Sequence, residues 1–109
     1  MSFSGHAEIQ GLRSAAIYAS TKSAVAGMTR ALARDYGPKG ITVNNVQPGH
    51  TETDINPAAS SHRAMLTALR PLGRVGQPEE IASLVAFLGS ALSSYINGSC
   101  LTVDGGFSI

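Results

Sequence analysis

The sequence predicts an α/β fold, one half of a doubly wound domain built on a parallel sheet. Three observations point there. Its segments run helix, strand, loop, helix, strand, an order that implies a parallel strand pair joined by a right-handed crossover. The helical segments repeat apolar residues on one face, whereas the strand segments are short apolar runs fenced by glycine and proline. Finally, parallel sheets need cover on both faces, and a chain of 109 residues with two strands supplies too little of it for a complete domain.

The first helix is expected over Ala15–Tyr36, stopping at Gly37-Pro38 because proline disfavours helix in the residue before it. One stripe of this helix carries Tyr18, Lys22, Val25, Thr29, Leu32 and Tyr36. Beside it runs a stripe of small residues, Ser20, Ala24, Gly27 and Ala31, suited to close packing against a sheet or another helix. The β-branched run 41–46, bounded by Gly40 and Pro48-Gly49, reads as a strand. The pattern weakens over 52–72, where a short helix near 61–69 is expected inside a loop. A clearer helix follows: Pro78 suits its first turn, Glu79 and Glu80 complement the positive end of its dipole, and Ile81, Leu84, Val85 and Leu88 form its apolar face. Gly98 leads into a last strand over 99–103. Asp104-Gly105-Gly106 ends it as a turn, not a phosphate cradle, since no helix follows.

Composition bounds the function. Hydrophobic residues at 43% and charged residues at 14% argue against disorder and for one partial domain over 1–109. A net charge of +1 without a basic cluster gives no field for nucleic acid or an anionic membrane. No apolar run approaches the ~20 residues that span a bilayer. The start, Met-Ser-Phe-Ser-Gly-His, lacks a basic region followed by an apolar core, so a cytoplasmic location is expected. One cysteine, Cys100, excludes an internal disulfide and reads as a buried small residue of the last strand. His6, His50 and His62 match no zinc spacing and have no cysteine cluster beside them, so no metal is expected.

The chemistry begins at Tyr18 and Lys22. Four residues apart on a helix, the two side chains rise from one face with Cβ atoms roughly 5–6 Å apart. A tyrosine with the ordinary pKa of about 10 is nearly inert as a base at neutrality, and a neighbouring ammonium favours the phenolate. The spacing alone is weak. Around it stand Val43-Asn44-Asn45-Val46-Gln47-Pro48-Gly49-His50-Thr51-Glu52-Thr53-Asp54, then Pro71-Leu72-Gly73-Arg74-Val75-Gly76-Gln77-Pro78-Glu79-Glu80-Ile81-Ala82. Tyr95-Ile96-Asn97-Gly98 and Leu101-Thr102-Val103-Asp104-Gly105-Gly106 close the series. In this order the segments resemble the C-terminal half of classical short-chain dehydrogenase/reductases, with 3-oxoacyl-acyl-carrier-protein reductases among the close likenesses. The resemblance runs from about residue 4 to residue 107.

That resemblance implies a Rossmann-type domain, a cofactor (NAD or NADP) and interconversion of an alcohol and a ketone by hydride transfer. It makes Tyr18 the acid/base, and gives Lys22 the tasks of tuning Tyr18 and binding the nicotinamide ribose. It assigns Pro48, Gly49, Thr51 and Thr53 to the loop that holds the nicotinamide, at the strand edge where open α/β sheets bind ligands. The family's carbonyl-polarising serine is expected 13 residues before the tyrosine, which is Gly5 here. Ser4 fills that role if the intervening loop carries one extra residue; otherwise Ser4 is a turn residue and the hydroxyl is lost. Asn44 reads as a structural tie near the strand end. The glycine-rich turn that holds the pyrophosphate does not occur in these 109 residues. The expectation is therefore an enzyme fragment, inactive alone and a homo-oligomer if intact, or else a non-catalytic remnant that persists by association.

Overall fold

The computed structural model describes residues 15–52 and 61–109. Helix α1 spans Ala15–Tyr36, as the stripe and the Gly37-Pro38 stop predict. A single 3-10 turn at Gly37–Lys39 follows, closed by Gly40 in the left-handed region with φ 75°. Then come strand β1 (Asn45–Pro48), helix α2 (Ser61–Ala68), helix α3 (Pro78–Leu88), a 3-10 turn at Ala91–Ser93 and strand β2 (Cys100–Val103). β1 and β2 pair in parallel, Asn45 opposite Cys100 through Pro48 opposite Val103. Both strands therefore deliver their following loops to the same sheet edge.

The strand expected over 41–46 begins four residues later. The partner segment explains the shift. Residues 43 and 44 lie opposite the turn that precedes β2, and side chains do much of the linking there. The Val43 N–H donates to Asn97 Oδ1 at 2.9 Å, and Gly98 N–H donates to the Val43 carbonyl at 2.8 Å. Asn44 behaves as the sequence suggests, donating from Nδ2 to the Ile96 carbonyl at 2.9 Å and accepting from Ser99 N–H at 3.0 Å. Asn97 also donates to the Ala33 carbonyl at 3.2 Å, so one side chain ties α1 to the entry of β1.

The core lies where α1 meets that turn. Among the described residues Ala33 and Pro48 are the buried apolar side chains, and Thr29, Asn45, Arg70 and Ser93 the buried polar ones. Their hydroxyls are satisfied locally, Thr29 by the Val25 carbonyl at 2.8 Å and Ser93 by the Leu88 carbonyl at 2.8 Å. A core this thin leaves large side chains uncovered: Leu92 is 84% exposed and Ile17 71% exposed. Ser20, Ala24 and Ala31 of the small-residue stripe are likewise exposed. Cys100, expected to be buried, is exposed, because no described element covers that face of β2.

Candidate active site

The first turns of α1 bring Tyr18 and Lys22 together as their i, i+4 spacing requires. Lys22 Nζ stands 5.3 Å from the centroid of the Tyr18 ring, within the range of a cation–π contact. Nζ is buried and has no hydrogen-bond partner among the described residues. An ammonium removed from water without an acceptor is costly.

The other described residues that the sequence proposes for the site lie in the loop leaving β1. Gly49 continues the ladder, its N–H donating to the Val103 carbonyl at 2.8 Å. A Cβ at Gly49 would lie 2.6 Å from Asp104 Cβ and 2.8 Å from Asp104 Cα. The close approach that this glycine permits is thus to the chain's own turn after β2. Thr51 donates from its hydroxyl to the Gly49 carbonyl at 3.0 Å and forms an isolated parallel bridge with Gly76. Pro48, Gly49 and Thr51 sit on one edge of the sheet. Ser4 and Thr53 lie outside the described residues.

Gln77, which sequence reasoning did not single out, holds this loop in place. Gln77, just before α3, donates from Nε2 to Glu52 Oε2 at 2.7 Å. Its N–H donates to Glu80 Oε2 at 2.8 Å, the carboxylate half of a capping box. Glu80 also accepts a fork from Arg74, at 2.8 and 2.6 Å. The Gln-x-x-Glu spacing could have revealed the Gln77–Glu80 contact. The Glu52–Gln77 contact crosses 25 residues and leaves no local pattern.

The Arg74 side-chain hydrogen bonds, then the Gln77 N–H, hold the Glu80 carboxyl down at about 2. A carboxyl lowered from 4.5 to about 2 on folding favours the folded state above pH 4.5, and that contribution is lost as the pH falls through about 2. Carboxyl-carbon NMR of Glu80 should therefore titrate near pH 2, and in Arg74→Met that midpoint should move up toward the ordinary range. An unchanged midpoint would contradict the ion pair.

Beyond β2, burial pushes the Asp104 carboxyl up, but hydrogen bonds from Ser108, Gly106 and Phe107 outweigh it, for a net lowering. Oδ1 accepts the Gly106 N–H at 2.9 Å and Oδ2 the Ser108 N–H at 3.0 Å, which makes the expected C-terminal turn. Buried Arg70 stacks on the Phe107 ring at 5.2 Å. Between this turn, the loop after β1 and the first turn of α3 lies a cavity of about 80 Å³, lined among others by His50, Arg74, Glu80 and Asp104. Neither Tyr18 nor Lys22 lines it.

Comparison with known proteins adds the wider context. A family model described as enoyl-(acyl carrier protein) reductase matches residues 1–108. The cyclic-di-GMP-binding biofilm dispersal mediator protein of Escherichia coli K12 is 52% identical over 92 residues, 84% of this chain and 39% of that protein. The 3-oxoacyl-[acyl-carrier-protein] reductase FabG of Vibrio cholerae is 46% identical over 90 residues, 82% of this chain and 37% of that protein. Among solved structures, a short-chain dehydrogenase/reductase from Serratia marcescens superposes with TM-score 0.82 at 50% identity, covering 87% of this chain and 39% of that one. A blue fluorescent protein from a metagenomic library, solved in complex with NADPH, superposes with TM-score 0.78 at 48% identity, covering 84% of this chain and 37% of that one. The chain thus spans about two fifths of the length of the relatives it matches.

Proposed function

The chain belongs to the short-chain dehydrogenase/reductase family, and from that premise we propose that it carries the acid/base half of an NAD(P)-dependent alcohol–ketone oxidoreductase. The observation that carries this reading is the Tyr18–Lys22 pair, whose buried ammonium has no hydrogen-bond partner among the described residues. The bound nicotinamide supplies or accepts the hydride. Tyr18 gives a proton to the carbonyl oxygen in reduction and takes one from the hydroxyl in oxidation. Lys22 offsets the phenolate charge and offers its N–H donors to the ribose hydroxyls. In this scheme Ser4 polarises the substrate carbonyl.

The residues present fit such a cofactor at a second point. The Thr51 bridge is made by Gly76 N–H to the His50 carbonyl at 3.3 Å and Glu52 N–H to the Gly76 carbonyl at 2.9 Å. In a parallel ladder this pattern turns the N–H and C=O of Thr51 itself to the opposite side. They are thereby open to a carboxamide. Pro48 and Gly49 fix the start of that loop, and Thr53 adds a hydroxyl in the proposal. No described helix is long and apolar enough to cross a membrane, and with Cys100 a free thiol we assign the enzyme to the cytoplasm.

A sequence of 109 residues without a glycine-rich pyrophosphate turn is expected to show no NAD(P)H turnover by itself. The same residues joined to a glycine-rich N-terminal half, here called the completed chain, should bind NADPH and reduce a ketone. Cofactor titration of the two side by side tests the reading. Ketone-dependent NADPH oxidation by the 109-residue chain would overturn the inactivity, and a folded completed chain that binds no cofactor would overturn the function. A second reading, a non-catalytic piece acting through association, is favoured by the exposure of Leu92 and Ile17.

A further inference from the structure

Two residues from a distant part of the sequence hold the loop that the proposed function assigns to the nicotinamide. Gly76 takes the His50 carbonyl and the Glu52 N–H, so both flanks of Thr51 are stitched to it. The next residue, Gln77, takes the Glu52 carboxylate through its side-chain amide at 2.7 Å. Gln77 is itself fixed: its N–H donates to Glu80 Oε2, its carbonyl accepts the Glu80 N–H at 3.0 Å, and Glu80 is forked to Arg74. His50 and Glu52, on either side of Thr51, are thus tied to Gly76 and Gln77, which lead directly into α3.

Resting on the function proposed above, we propose that the Glu52–Gln77 hydrogen bond is a positioning contact for the cofactor loop. It fixes the rotation of the loop about Thr51, and with it the direction in which the Thr51 backbone presents its N–H and C=O. Neither side chain touches the cofactor. Gln77 is exposed, and surface polar contacts contribute little to global stability. The consequence of losing this one is therefore local. A loop free to rotate must be ordered again on each binding event, which weakens affinity.

The test uses the completed chain. Gln77→Glu opposes two carboxylates and is expected to raise the NADPH Kd, read by fluorescence titration, about fivefold to tenfold. The cofactor KM should follow, with kcat changed less and the thermal midpoint nearly unchanged. Hydrogen exchange at the Glu52 and Gly76 amides should accelerate. The exchange variant Glu52→Gln/Gln77→Glu restores an amide facing a carboxylate with reversed polarity, and should recover most of the affinity and the amide protection. Gln77→Ala, which removes the donor without adding charge, should shift Kd the same way and serves if Gln77→Glu does not fold. An unchanged Kd in the folded single variants, or an exchange variant no better than Gln77→Glu, overturns the positioning contact. A completed chain in which Tyr18→Phe still turns over overturns the function instead, so the two failures are told apart.

Discussion

Tyr18→Phe in the completed chain should lower turnover by ~10²–10⁴, the range that a positioned general acid/base contributes, while NADPH affinity stays largely intact. The substitution removes one hydroxyl. Phenylalanine and tyrosine have similar helix propensities, so α1 should keep its length. The ring that Lys22 faces at 5.3 Å also remains. Loss of turnover without loss of binding or of helical signal would then assign the missing step to the phenol. Removing the ammonium is a different operation. Lys22→Met should weaken both turnover and cofactor binding, because the proposed mechanism gives Nζ a part in each. Comparable turnover in Tyr18→Phe and the parent would remove Tyr18 from the mechanism altogether.

The largest effect on stability is expected at Gly49. A methyl group there would meet Asp104 Cβ at 2.6 Å and Asp104 Cα at 2.8 Å, and backbone on a paired strand end has little room to yield. Overpacking of this kind typically costs ~1–3 kcal/mol, and each kcal/mol moves the midpoint of a domain this small by roughly 4–8 °C. Gly49→Ala should therefore lower the thermal midpoint clearly and separate the loop after β1 from the turn after β2. Gly27 is the control. A Cβ there meets nothing within 4 Å, and alanine in a helix interior is favoured over glycine by roughly 0.5–1 kcal/mol. Gly27→Ala in the 109-residue chain should hold or raise the midpoint. If both alanines behaved alike, the contact between Gly49 and Asp104 would not matter to the fold.

Much of this architecture was legible because its causes are local. Gly37-Pro38 ends α1 by a steric clash one residue away, and Pro78 with Glu79 and Glu80 begins α3 by first-turn chemistry. Tyr18 and Lys22 meet because four residues make about one helical turn. Asn44 beside a strand end is the tie that its position suggests. The start of β1 is not legible in the sequence, because a β-branched run reports propensity, whereas a ladder also needs a partner of matching length. Cys100 is exposed, not buried, for a related reason. Burial of a strand residue depends on what covers its face, and that cover is not a property of the strand.

The amino-acid order alone determined the helices, the parallel strand pair, the juxtaposition of Tyr18 and Lys22 and the family to which the chain belongs. Each depends on residues within a few positions of one another or on motifs kept in series. Only the folded chain decided that Asn97 ties α1 to β1, that Gly49 yields its space to Asp104, and that Gln77 grips Glu52. Those partners are separated by 25 to 64 residues, and no short-range pattern encodes a contact that exists only once two distant segments have been brought together.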